Sequence, residues 1–561
     1  SYDGGATPAC LDTIQEEMNG AWSPAEFGLL GSMDKIGMTS TSMIWGRSLQ
    51  LCQAKALLVF GLLLNLGCTA AFGLLRHKGL MYAAKFAMGA TQSLQGVWST
   101  VWTVTMAPPE LKATWLGLGG VSAGIGNGIG TAVAGFGTAN GMPYAFAFQL
   151  QAAVLGAFLL FLVTLLPRWL SLTLPPSAAQ DSGSPTPCSQ ATEEEVPSTW
   201  EQIQALRKNR VYCWTSLAIS TAMFEMSGIQ FLWVRVFVEV WGLNKNSVTL
   251  AFLLVTGIGG GLGLAYGPRQ VDKVGGFGAP PGVMKSLQIL QQFSVFGAMA
   301  GLWGVACLFG KLRSKDQGYW RMWGDHWLWM SWGAVLVVWA VRNASIPGLC
   351  GINVEVVPRN MRAFASGAEM TLRNILGYAF GPLLPGLVMN AIEASLDWHE
   401  VSVTDYQLCC GLAFVLLATL LDCWILKRAL AAATLELELA QAGVLEQLRQ
   451  AFKAEDVTGL EQAVAQARTV DLHARADGEA VLGMANETVG AYHASGRKSD
   501  SQEVGRMFGR SKIFTATREE LQQRVLSLER EVAKLQEESR RLQQAAGEGE
   551  GRGGRPPCPG G

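Results

Sequence analysis

Residues Tyr82 to Gly137 read YAAKFAMGATQSLQGVWSTVWTVTMAPPELKATWLGLGGVSAGIGNGIGTAVAGFG. Two apolar runs flank a short polar bend, PPELKA. Each run is long enough to cross a bilayer as a helix, which takes about 20 apolar residues. The first run carries a single cation, Lys85. The second carries glycine at helical spacing, with Gly120, Gly124 and Gly128 on one line and Gly126, Gly130 and Ala134 on the next. Glycine weakens a helix in water, but in lipid small residues four apart let two helices approach closely.

The pattern returns from Ala340, as AVRNASIPGLCGINVEVVPRNMRAFASGAEMTLRNILGYAFGPLLPGLV. A cation in an apolar run (Arg342) leads to a bend with Pro358, Arg362 and Ala363, and a second apolar run ends in GPLLPG. Matching helix pairs in two halves predict a duplicated membrane fold. The repeat is loose: Lys85 to Lys112 is 27 residues and Arg342 to Arg362 is 20.

At these residues the chain resembles the major facilitator superfamily of transporters. The resemblance rests on the span 4 cation, the PPELKA bend and the glycine-rich fifth span, a loose form of the family's antiporter motif with Thr131 at the proline position. The second copy keeps Gly381 and Pro382. GLLGSMDKIGMTS and VPRNMRAFASG look most like Spinster-type and protist carriers. YGPRQVDKVGG resembles the family's gating loop, with Asp272, Lys273 and Gly275 in place and Gly267 one residue too far from the aspartate. The matching first-half loop, GRSLQLCQAK, has Gln50 where the aspartate would stand. The resemblance implies an all-α membrane protein of two six-helix bundles, with a gate in which Arg362 and Lys112 take part. It covers about residues 1 to 430.

Composition points the same way. Of 561 residues 49% are apolar and only 16% charged, against about 25% charged in soluble domains. Mean hydropathy is +0.23. A net charge of −1 gives no bulk attraction to nucleic acid. Five histidines, with no C-x-x-C and no H-E-x-x-H, leave no metal or cofactor motif. No nucleophile, base and acid arrangement suggests an enzyme.

The chain opens at Ser1 on a run that follows the first span in facilitators, so most of span 1 is expected upstream. Residues 1–166 form the first transmembrane half, 167–210 a linker rich in Pro, Ser and Glu, and 211–428 the second half. A helical tail follows at 429–515 and a low-complexity end at 545–561. Between them, 516–544 carries heptads with Leu521, Leu528, Leu535 and Leu542 at d and Val525, Val532 and Ser539 at a. That pattern predicts a parallel dimer. Basic residues concentrate on one side, at Arg47, Lys55, Lys112, Arg207, Lys208, Arg269, Lys273, Arg359 and Arg362 among others, so that side, the linker and the tail are expected in the cytosol. The tryptophans of 320–332 are expected at the opposite interface.

A charge inside a span costs about 2.5–3.5 kcal/mol on insertion scales, so each one is a candidate site. Glu225 stands alone in AMFEMSG, with no partner within a helical turn. Asp34 and Lys35 are adjacent, about 100° apart on a helix. Lys85 holds the span 4 position. Glu369 and Arg373, four apart, share a face. Arg342 and Glu355 read as structural. Glu225, Lys85, Asp34, Glu369 and Arg373 are therefore the expected substrate and coupling residues, with lipid as surroundings. The function so read is secondary transport of a small organic solute, with protons as the coupling ion. The alternative is a non-transporting scaffold or sensor acting through its coiled-coil tail.

Overall fold

The computed structural model describes residues 2–18, 24–165, 167–172, 197–316, 324–395, 403–454, 457–472 and six positions between 482 and 489. The heptads of 516–544, the linker stretch 173–196 and the end 545–561 lie outside the described residues. The described residues are helical nearly throughout. In order they form α1 (Tyr2–Ala9), α2 (Leu11–Glu17), α3 (Pro24–Leu51), α4 (Ala54–Leu74), α5 (Lys78–Met106), α6 (Lys112–Ala139), α7 (Ala145–Thr164) and α8 (Pro167–Leu170). After the linker come α9 (Thr199–Lys208), α10 (Arg210–Arg235), α11 (Lys245–Lys273), α12 (Pro280–Asp316) and α13 (Gly324–Glu355). The last are α14 (Arg362–Leu372), α15 (Phe380–Ser395), α16 (Val403–Ala454) and α17 (Val457–Thr469). Among the described residues, eight spans are long and apolar enough to cross a membrane by length and composition. Many large apolar side chains point outward, such as Leu118, Ile125, Phe136, Leu160 and Phe161. That is the surface a lipid-embedded bundle presents.

The two bends are built alike. Pro108 stops α5 because the residue before a proline is pushed out of the helical region, and Ala107 is extended there. A 3-10 turn, Pro109–Leu111, then starts α6 at Lys112. In the second half the 3-10 turn Arg359–Met361 follows Pro358, and α14 starts at Arg362. Measured back from Pro108 and Pro358, the counterpart of Arg342 is Gln92. Lys85 stands two turns further from the bend, which accounts for the seven-residue mismatch.

Backbone proximity explains several glycines. A Cβ on Gly263 would lie 2.1 Å from the Ala340 carbonyl, and one on Gly267 would lie 2.2 Å from that of Ala344. The glycine run of α11 is thus a contact face for α13. Gly130 packs on the Tyr2 carbonyl of α1, and Gly5 on that of Asn127. Gly120 meets Leu264, Gly126 is half-buried, and Gly124 and Gly128 face open space.

Among the described residues, two segments widen into π turns, Val236–Val240 after α10 and Arg373–Ala379 between α14 and α15. Such turns recur at functional sites. Of the expected interfacial tryptophans, Trp320 and Trp323 lie outside the described residues, and Trp329 meets Trp332 edge-on at 5.5 Å between ring centroids. Trp329 is 64% exposed. Trp332 instead joins an aromatic cluster with Trp233 and Phe237, at 6.0 and 5.9 Å between ring centroids.

Ser1–Glu438 forms one compact unit and Leu439–Gly561 a second. Helix α16 runs unbroken through the change in hydropathy after Lys427. In the second unit, Val444, Leu448, Leu460 and Val464 are buried, and Gln441 donates to the Val470 carbonyl at 3.0 Å.

Candidate functional site

Glu225 is not alone. Arg342 of α13 donates through Nε to its Oε2, and through Nη1 to Oδ2 of Asp422 on α16. Ser294 of α12 donates to the same Asp422 oxygen at 2.6 Å. None of the three charged residues is more than 1% exposed. Gly297 leaves room for the guanidinium, since a Cβ there would sit 3.3 Å from Nη2. Each partner also keeps one buried atom without a hydrogen-bond partner, Glu225 Oε1, Arg342 Nη2 and Asp422 Oδ1. The expectation of an unpaired Glu225 is therefore replaced by a triad of two acids and one base. Its partners come from other helices, beyond what spacing along α10 can reveal. Arg342 belongs to this cluster, and Asp422 was not singled out in the sequence.

The first half holds a simpler pair. Lys85 Nζ lies 3.4 Å from Asp3 Oδ2, and Gln92 donates to the same oxygen at 3.1 Å. Lys85 and Asp3 are 2% and 1% exposed, and the ammonium also sits over the Phe72 ring at 5.6 Å. Lys85 is thus engaged within its own half and not with Glu225. Asp3 is a second acid the sequence reading passed over.

Asp34 and Lys35 do pair, at 3.3 Å, while the Lys35 backbone N–H donates to Asp34 Oδ1 at 2.8 Å. Glu369 and Arg373 stand 3.7 Å apart on one face, as their spacing requires. Lys35 also points across to Tyr378 of the other half, 5.0 Å from its ring centroid.

At the basic end the halves are fastened together. Asp272 accepts from the backbone N–H groups of Ala113 (2.9 Å) and Thr114 (2.8 Å), so it caps the N-terminus of α6 from across the seam. Those amides have no partner within α6, and the helix dipole favours an anion there. Arg362 pairs with Glu355 at 3.1 Å, and Lys112 reaches the other Glu355 oxygen at 3.4 Å. Glu355, read from sequence as structural, therefore bridges the bend cations of both halves. Lys273 is exposed. Gly275 (φ +100°) and Gly276 (φ +63°) turn the chain in a region side chains disfavour. In the first-half loop, Gln50 donates to the Asn360 carbonyl at 2.8 Å and to Gln202 of α9 at 3.0 Å.

Among the described residues no cluster of His, Cys, Asp and Glu could hold a metal ion. The sequence profile of the Major Facilitator Superfamily matches residues 3–290. No curated protein sequence matches significantly. Among solved structures the chain is similar to the human organic anion transporter MFSD10, with a TM-score of 0.51 and 15% identity over 75% of this chain and 89% of that one. It is also similar to the proton:xylose symporter XylE, with a TM-score of 0.52 and 14% identity over 75% and 91%. FucP in its outward conformation gives 0.51 and 13% over 76% and 96%. At such identities these likenesses bear on the fold.

Proposed function

The chain belongs to the Major Facilitator Superfamily, and from that premise we propose that it carries a small organic solute by alternating access, driven by protons through Glu225, Arg342 and Asp422. The carrying observation is the charge count in that cluster. Two carboxylates share one guanidinium in a dry site, so one negative charge is left over. An uncompensated charge is costly there, and one proton removes it. Binding and release of that proton would shift the packing of α10, α12, α13 and α16 together, because the triad touches all four. By the distribution of basic residues, the fastened end faces the cytosol. Tags at Ser184 and at the C-terminus should then be accessible only from that side. The scaffold reading draws on 516–544, and no geometry among the described residues favours it.

The test uses liposomes with an imposed pH gradient. The wild type should concentrate solute, and Glu225→Gln or Asp422→Asn should exchange solute without concentrating it. A wild type that never accumulates solute above equilibrium at any gradient overturns the proton coupling.

A further inference from the structure

At the seam between the halves, a cation of the first half approaches an aromatic ring of the second. Lys35 on α3 holds its ammonium 5.0 Å from the Tyr378 ring centroid. Arg373 opens the π turn that contains Tyr378 and lies within electrostatic reach of it. A π turn bonds residues five apart, which is the spacing of these two.

Each cation has an acid on its own helix, and neither pair is tight. The distances are 3.3 Å for Lys35–Asp34 and 3.7 Å for Arg373–Glu369. A charge-assisted hydrogen bond measures about 2.7–2.9 Å. Arg373 Nε and Glu369 Oε1 are buried without a hydrogen-bond partner, and so is Nδ2 of the neighbouring Asn374. Exposure is also unequal. The Lys35 side chain is 36% exposed and that of Asp34 is 7%. Arg373 is 17% exposed and Glu369 is 6%. In each pair the cation is the more exposed member.

We propose, resting on the transport reading above, that Lys35 and Arg373 hold the carboxylate of a small organic acid, with Tyr378 as the wall for its apolar body. Each cation is held only loosely by its own acid, so a better-placed carboxylate can compete for it. The guanidinium fork matches a carboxylate in two parallel hydrogen bonds, and Asn374 offers a further donor. A cationic solute would meet two like charges. A neutral polyol has no charge with which to compete against the two acids. One cation comes from each half, so the bound acid is gripped from both sides of the seam that must open and close.

Binding is read by thermal unfolding of the purified full chain in detergent, with acetate, benzoate, succinate, phenyl phosphate, glucose and choline as probes. The carboxylates should raise the unfolding temperature, and the other three should not. Lys35→Gln and Arg373→Gln should weaken carboxylate binding by about ten- to a hundredfold, the effect of losing a hydrogen bond to a charged group. Arg373→Lys keeps the charge, loses the fork and should fall between, which guards against a folding defect. Stabilisation by glucose, choline or phenyl phosphate in place of carboxylates overturns the proposal. So does carboxylate binding that both Gln variants leave unchanged. Carboxylate binding without flux in liposomes would sink the transport reading and leave this site standing. Glucose flux that Arg373→Gln does not alter would do the reverse.

Discussion

Within the triad, the two kinds of charge removal should have different consequences. Arg342→Gln leaves two buried acids facing each other, and breaking a buried pair from one side costs about 3–5 kcal/mol. Asp422→Asn keeps the shape, removes the surplus charge and should cost far less. Thermal unfolding of the two variants measures this, and equal losses would refute the charge count. The sequence carried part of this site. Glu225 and Asp422 are each a single acid in an apolar run, AMFEMSG and ATLLDCW, and one criterion finds both. Their pairing was not legible, because Arg342 is 117 residues from one and 80 from the other. The same criterion does not find Asp3, which stands in SYDGGAT and not in an apolar run. At the proposed gate, Asp272→Asn keeps the size of the side chain but replaces one of the two acceptors on the α6 amides with a donor. Transport should slow while expression stays normal. Unchanged kinetics would remove Asp272 from the gate.

Among the elements, the linker helix α9 is the one whose role the sequence did not suggest. Ser198 and Glu201 start it with a reciprocal cap, and Arg207 and Lys208 sit at its end. The Ser198 backbone and hydroxyl hold Glu201 below the usual carboxylate range. That contribution is present at neutral pH and is lost as the pH falls through this lowered value. The helix touches both halves. Its Gln202, fully buried, bonds Gln50, and the preceding Pro197 carbonyl accepts from Arg47 at 2.7 Å. Leu206 packs in a cluster with Met361 and Phe364 of the second half. A helix held by both halves favours the arrangement in which this end is shut. Gln202→Ala deletes its bonds to Gln50 and leaves buried groups unsatisfied, which costs the shut state about 1–3 kcal/mol. Cysteine labelling at the basic end should then become faster. Labelling at the wild-type rate would show that α9 merely rests there. The departure at Gln50 was visible in the gating-loop pattern. Its partner, 152 residues away in the linker, was not.

Across the two transmembrane halves, one line of contacts shows which state this is. Gly117 and Gly120 of α6 meet Pro268 and Leu264 of α11 near the basic end. Gly124 and Gly128 continue the same helical line outward, and Gly261 and Gly257 continue the facing line, yet nothing lies within 4 Å of where their Cβ atoms would be. The helices touch at one end and part at the other. The duplication, the spans and the bends were legible because hydropathy and proline placement decide them locally. Which end is shut was not, since both ends of the glycine line read alike in sequence. Alternating access requires the parted ends to meet when the basic end opens, and small residues suit that close approach. Paired cysteines at Gly128 and Gly257, in a background without the native thiols, should therefore cross-link only during turnover. Open space at both positions makes the substitutions tolerable in the state described. Cross-linking should rise with solute and gradient, and should trap the carrier open towards the basic end, where Lys112 and Glu355 would become accessible to labels. Full cross-linking without solute, or none under any condition, would mean that α6 and α11 do not rock about their basic ends.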